Sequence, residues 1–182
     1  MNLKVYTINF ILILLVGCVS NPSYKSTSDD YAEVCLIAER NNQFKIAEDA
    51  CQTALHNAKT GNLGKELIAK RLFELANIKR RQAKYSEAIP LLKESLEIEN
   101  TLSRKINSKI GRVLTEIAIN YAALGEWDNG APYLEKSIPI LSAYTGKERK
   151  FIKQIFKNYG RYFKKNGQLK RAKLFIINAR KL

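Results

Sequence analysis

At 182 residues the chain is long enough for one compact domain or a short array, and 31 Lys and Arg against 17 Asp and Glu leave a formal net charge of +14. With four prolines and nine glycines, breakers are few and mostly helical structure is expected. One histidine, His56, and three cysteines, without CxxC, HExxH, GxSxG or a Gly-rich phosphate loop, point away from an enzyme and imply no cofactor and no metal.

The charge is polarised. From Lys147 to Leu182 thirteen Lys and Arg face a single acid, Glu148, so this stretch carries +12 and the first 146 residues only +2.

In chain order, Met1 to Lys4 supply a short positive start, and Val5 to Val16 an apolar run too short to span a bilayer. It closes on Leu15-Val16-Gly17-Cys18, which resembles a bacterial lipobox. The resemblance implies a signal peptide over residues 1–17, cleavage after Gly17, and acylation of Cys18, with palmitate among the chains. Two or three acyl chains anchor far more firmly than one. Val19 rather than Asp follows the cysteine, which resembles sorting to the outer membrane, facing the periplasm in a Gram-negative cell. Residues 18–28, with Asn21 to Ser28 polar and Ser-rich, read as a flexible tether.

From Asp29 onward, residues 29–182 read as four helical hairpins, at about 28–61, 69–102, 111–144 and 153–182. Each second helix opens with a bulky side chain followed three residues later by a small one: Phe44 with Ala47, Tyr85 with Ala88, Trp127 with Gly130, Leu169 with Ala172. The intervals are 41, 42 and 42 residues. The first helices carry Leu114-x2-Ile117-Ala118-x2-Tyr121, Phe156-x2-Tyr159-Gly160-x2-Phe163, Leu72-x2-Leu75-Ala76-x2-Lys79 and Tyr31-x2-Val34-Cys35-x2-Ala38. Pro90 and Pro132 fall early in their helices, where a lost N–H is cheap. Pro139 falls deeper and is expected to kink or end its helix.

These residues resemble the tetratricopeptide repeat (TPR), W-x2-L-G-x2-Y…A-x3-F, in the 42-residue form of kinesin light chains. Lys79 departs from the aromatic of the pattern. The resemblance implies an all-α fold, a right-handed superhelix of four hairpins (an α-solenoid), and a groove that binds a partner protein or peptide.

The basic stripe Lys150, Lys153, Lys157, Arg161 and Lys164 shares one side of the fourth first-helix. Asn77, Arg80, Arg112, Lys157, Arg161 and Lys164 are the expected groove residues, suited to an acidic protein or peptide. Contact with anionic lipid is the competing use of the same charge; nucleic acid is not expected, given the export signal and the absence of a base-reading module. Phe175 and Ile177 mark an end interface, for a homodimer through the last helix or another protein. Cys35 and Cys51 fall on the two helices of the first hairpin, either as a disulfide or as two buried thiols. His56 reads as a helix-end surface histidine. The function expected is a lipid-anchored envelope scaffold or adaptor, for example in assembly of an envelope complex; the alternative is an immunity or inhibitor lipoprotein that neutralises a toxin.

Overall fold

The computed structural model describes residues 22–103 and 107–182. The signal stretch 1–17 and the acylation site Cys18 lie outside them. Eight α-helices follow among the described residues: α1 (Pro22–Arg40), α2 (Phe44–Thr60), α3 (Lys65–Arg81), α4 (Tyr85–Leu102), α5 (Ser108–Ala123), α6 (Trp127–Lys136), α7 (Gly146–Lys165) and α8 (Leu169–Lys181). A 3-10 helix, Ile138–Ala143, lies between α6 and α7. No described residue is in a strand, and no described helix is long and apolar enough to cross a membrane.

Consecutive helices pair as hairpins, α1 with α2, α3 with α4, α5 with α6 and α7 with α8, while α2 also packs on α3 and α4 on α5. Each hairpin therefore buries its apolar stripes partly within itself and partly against its neighbour, as stacked repeats must. The turns inside the hairpins share one geometry. Asn42, Ala83, Gly125 and Gly167 have φ of 56°, 60°, 80° and 74°, and they recur at intervals of 41, 42 and 42 residues. Three of the four are Gly or Asn, which tolerate the left-handed region; Ala83 does not favour it.

Small residues sit where helices approach most closely. A Cβ on Gly130 would fall 2.0 Å from the Tyr159 hydroxyl, and one on Gly111 would fall 1.7 Å from Ile140 Cδ1. The third hairpin departs from the others through Pro139. Lacking an N–H, it cannot continue the α-helical ladder, so α6 stops at Lys136 and the chain tightens into the 3-10 helix that buries Ile140 and Leu141.

Two expectations are corrected. The tether does not run to Ser28: helix α1 begins at Pro22, a residue tolerated in a first helical turn. Tertiary contacts override the polar, Ser-rich composition there. Tyr24 packs against Gly61, the buried Ser28 hydroxyl donates to the Ala54 carbonyl at 2.9 Å, and Arg71 of α3 reaches Asp29 at 2.6 Å. Phe175 is not an interface residue. It is fully buried, with ring centroids 5.9, 5.4 and 5.6 Å from those of Phe156, Tyr159 and Phe163. Helix α8 turns Phe175 inward and leaves its neighbour Ile177 40% exposed.

Candidate functional site: the first-helix face and the basic end

Buried charge fixes how the first two hairpins stack. Lys79 replaces the aromatic found at Tyr121 and Phe163, and Glu48 stands where later repeats have Ile89 and Ala131. The substitutions compensate each other. Lys79 Nζ donates to Glu48 Oε1 and to Glu87 Oε2, both at 2.6 Å. Gln82 Nε2 and Lys84 Nζ donate to Glu48 Oε2 at 2.7 and 2.6 Å. Burial pushes the Glu48 carboxyl up, but the hydrogen bonds from Lys79, Lys84 and Gln82 together outweigh it and hold the group at about 2. Burial likewise opposes the Lys79 charge, and Glu48 and Glu87 overcome that and raise its pKa.

The first helices of successive hairpins line a series of clefts. Between α1 and α3 the walls include Glu33, Leu36, Glu39, Lys70, Glu74 and Asn77. The cleft between α3 and α5, of roughly 330 Å³, has an apolar floor of Ala69, Phe73 and Val113 and a rim of Glu66, Glu74, Lys109 and Arg112. Apolar surface ringed by a few charges suits a side chain of a docked protein or peptide. Further along the same pair of helices, Arg80 Nε lies 2.9 Å from Glu116 Oε2. Burial raises the Glu116 pKa, with Arg80 pulling the other way. Across the next boundary Arg112 grips Glu148, Nε to Oε1 at 2.7 Å and Nη2 to Oε2 at 3.3 Å.

The six expected groove residues do not converge on one site. Asn77 lines the α1/α3 cleft, Arg112 the α3/α5 cleft, and Lys164 a cleft at the far end with Leu169, Lys173, Ile176 and Arg180. Arg80 and Arg112 are held by Glu116 and Glu148. Repeat spacing explains the separation. Lys153, Lys157 and Lys164 of α7 are equivalent to Gly111, Thr115 and Ala122 of α5 and to Ala69, Phe73 and Arg80 of α3. In α3 and α5 this edge faces the next hairpin. In α7 no hairpin follows among the described residues, and the edge is lysine.

That end is electrostatically open. Arg171 pairs with Asp128 and Glu135, and Arg149 donates to the Lys181 and Leu182 carbonyls. Arg161 donates to Asn158. Among the described residues Lys150, Lys153, Lys157 and Lys164 have no carboxylate partner. Exposed Leu169 and Ile177 line a cleft with Lys164, and exposed Leu174 lines another with Ile177, Arg171 and Glu135.

Cys35 and Cys51 form a disulfide across the first hairpin, with Cα atoms 5.3 Å apart; this decides between the two states left open by the sequence. Both stand at positions that carry small or apolar residues in other repeats, close enough for a bond. His56 is exposed, with Nε2 3.5 Å from Thr60 Oγ1. Among the described residues no group of three or more His, Cys, Asp or Glu could hold a metal ion. Sequence reasoning missed the Lys79–Glu48 network, although Glu48 breaks an otherwise apolar stripe and Lys79 breaks the aromatic pattern of the same unit.

By sequence, no family profile and no curated protein matches the chain. By structure it is similar to BtubC (BKLC) from P. vanneervenii, with a TM-score of 0.72 and 18% identity over 85% of this chain and 62% of that one. It is also similar to a Podosopora anserina kinesin light chain with nearly identical TPR-like repeats, with a TM-score of 0.67 and 20% identity over 89% of this chain and 76% of that one. The Arabidopsis FLU TPR domain gives a TM-score of 0.60 and 23% identity, over 66% of this chain and 99% of that domain. The chain thus spans less than two thirds of BtubC. At these identities the likeness shows the fold: a TPR solenoid with kinesin-light-chain-like repeats.

Proposed function

We propose that this protein is a lipid-anchored scaffold of the bacterial cell envelope that docks an acidic protein surface on the basic α7–α8 end and the adjoining first-helix face. The unpaired cations of α7 carry the reading, because four lysines without counter-charges repel one another until an acidic partner arrives. The α3/α5 cleft supplies the apolar seat that charge alone lacks. Acylation at Cys18 would hold the array beside the membrane, in the outer membrane facing the periplasm if the source is Gram-negative. We read the work as binding rather than catalysis: the hydroxyl in the α3/α5 cleft, Ser95, donates to the Ala69 carbonyl instead of to a base.

The test is photo-crosslinking of the full chain in intact cells, with a benzophenone side chain at Phe73, at Arg161 and, as a control, at Lys45, exposed on α2 and outside these clefts. The reading expects an envelope protein captured from Phe73 or Arg161 and not from Lys45. Equal capture from all three positions, or none from the first two, contradicts it.

A further inference from the structure

The two ends of the stack are complementary to each other. In α3, Leu72, Leu75 and Ile78 are 0%, 4% and 1% exposed because α2 covers them. Their equivalents in α1, one repeat earlier, are Tyr31, Val34 and Ile37, which are 42%, 45% and 48% exposed. Among the described residues no hairpin precedes α1, so a stripe built to receive a second helix lies open. At the other end α8 is a second helix that, among the described residues, has no following first helix to cover. Its open side carries Leu169, Ile176 and Ile177, of which Ile176 stands where α2 has Cys51, a residue of the core shared with α3.

The charges match as well. The hairpin α1–α2, residues 22–60, carries −2, against +12 over Lys147–Leu182. Carrying the internal stacking one unit further pairs specific groups. The Arg80–Glu116 ion pair across α3 and α5 maps, by two repeat periods forward and two back, onto Lys164 of α7 and Glu33 of a following α1. Phe73 and Val113, which share the α3/α5 cleft, map the same way onto Lys157 and Asp30. All four mapped residues are exposed.

We propose that the occupant of the α7–α8 end is a second copy of this chain, whose α1 docks there as a fifth first-helix, with Lys164 against Glu33, Lys157 against Asp30, and Ile176 and Ile177 over Val34 and Ile37. The contact is heterologous, so each copy keeps one free end and further copies add head to tail. Anchoring on a membrane raises the local concentration of copies, which favours an interface of this modest size. The proposal rests on the reading of α7–α8 as a docking end for an acidic surface, and it names that surface.

The test places a benzophenone side chain at Ile37 of the full chain in cells. Expected are covalent dimers and higher rungs, with position 37 linked to the Leu174–Arg180 stretch. Lys157→Glu with Lys164→Glu should cut the yield at least tenfold, as should Asp30→Lys with Glu33→Lys, and the four changes together should restore it. A monomer band alone, a link between two copies of α1, or failure of the fourfold variant to restore the yield overturns the proposal. So does capture of a different acidic protein at α7, which would leave the docking reading standing; loss of every capture from both Phe73 and Arg161 would end that reading too.

Discussion

The Tyr159 hydroxyl donates a 2.7 Å hydrogen bond to the Ala118 carbonyl, across the boundary between the third and fourth hairpins and directly over Gly130. Three recurring features of the repeat pattern thus meet at one point: a small residue on α5, a small residue opening α6, and an aromatic on α7. The bond satisfies a buried hydroxyl whose ionisation is strongly suppressed by desolvation.

Gly130→Ala should therefore destabilise by about 1–3 kcal/mol, because the added methyl must displace a buried phenol. Tyr159→Phe keeps the ring packing and should cost about 1 kcal/mol. In Gly130→Ala/Tyr159→Phe the clashing oxygen is gone, so the two costs should be less than additive. Urea denaturation of the four proteins measures this.

Ala83 holds a φ of 60° at a turn position that is glycine in the third and fourth hairpins. Ala83→Gly should stabilise the fold by about 0.5–1 kcal/mol, against the usual penalty for glycine. A thermal melt showing a rise of a few degrees is the expected result; a fall would mean the turn relaxes elsewhere.

Acid sensitivity should centre on Glu48. Its pKa is lowered from 4.5 to about 2 in the folded chain. The stabilisation is full above the unfolded value and is lost as pH falls from about 4.5 toward 2, since the unfolded state then binds the proton that the native state refuses. The shift corresponds to a contribution on the order of 3 kcal/mol. Urea midpoints measured between pH 6 and pH 2.5 should fall more steeply for the parent than for Glu48→Gln, which lacks the titrating group.

The disulfide closes a segment with a sequence separation of 16 between Cys35 and Cys51. By the loop-closure estimate its reduction should cost about 3 kcal/mol. Alkylation without reductant should leave both residues unmodified, and denaturation after reduction should shift accordingly.

The fold was legible because burial has a period. Leu72, Leu75, Leu114, Ile117, Phe156 and Tyr159 recur at 42-residue spacing and are all buried, and Pro139 ended its helix as its missing N–H requires. What was not legible needed distance across the stack. Ser-rich residues 22–28 gave no sign of the α2 and α3 groups that hold them helical. Phe175 and Ile177 are two residues apart, and only the packing of α8 on α7 shows that the first points inward. The basic stripe was visible as a stripe, but its position on the terminal edge, outside the α3/α5 cleft, follows from comparing Lys153, Lys157 and Lys164 with their equivalents in α3 and α5.

The central claim is that the cationic end of the last hairpin is a docking surface, and one measurement addresses it most directly. The full chain and its Lys157→Glu/Arg161→Glu/Lys164→Glu variant are used to capture proteins from intact cells, with their stabilities compared in parallel. All three residues are exposed, so the variant should stay within about 0.5 kcal/mol of the parent. The account predicts that a partner, a second copy included, is captured by the parent and lost from the equally stable variant. An unchanged set of captured proteins would contradict it.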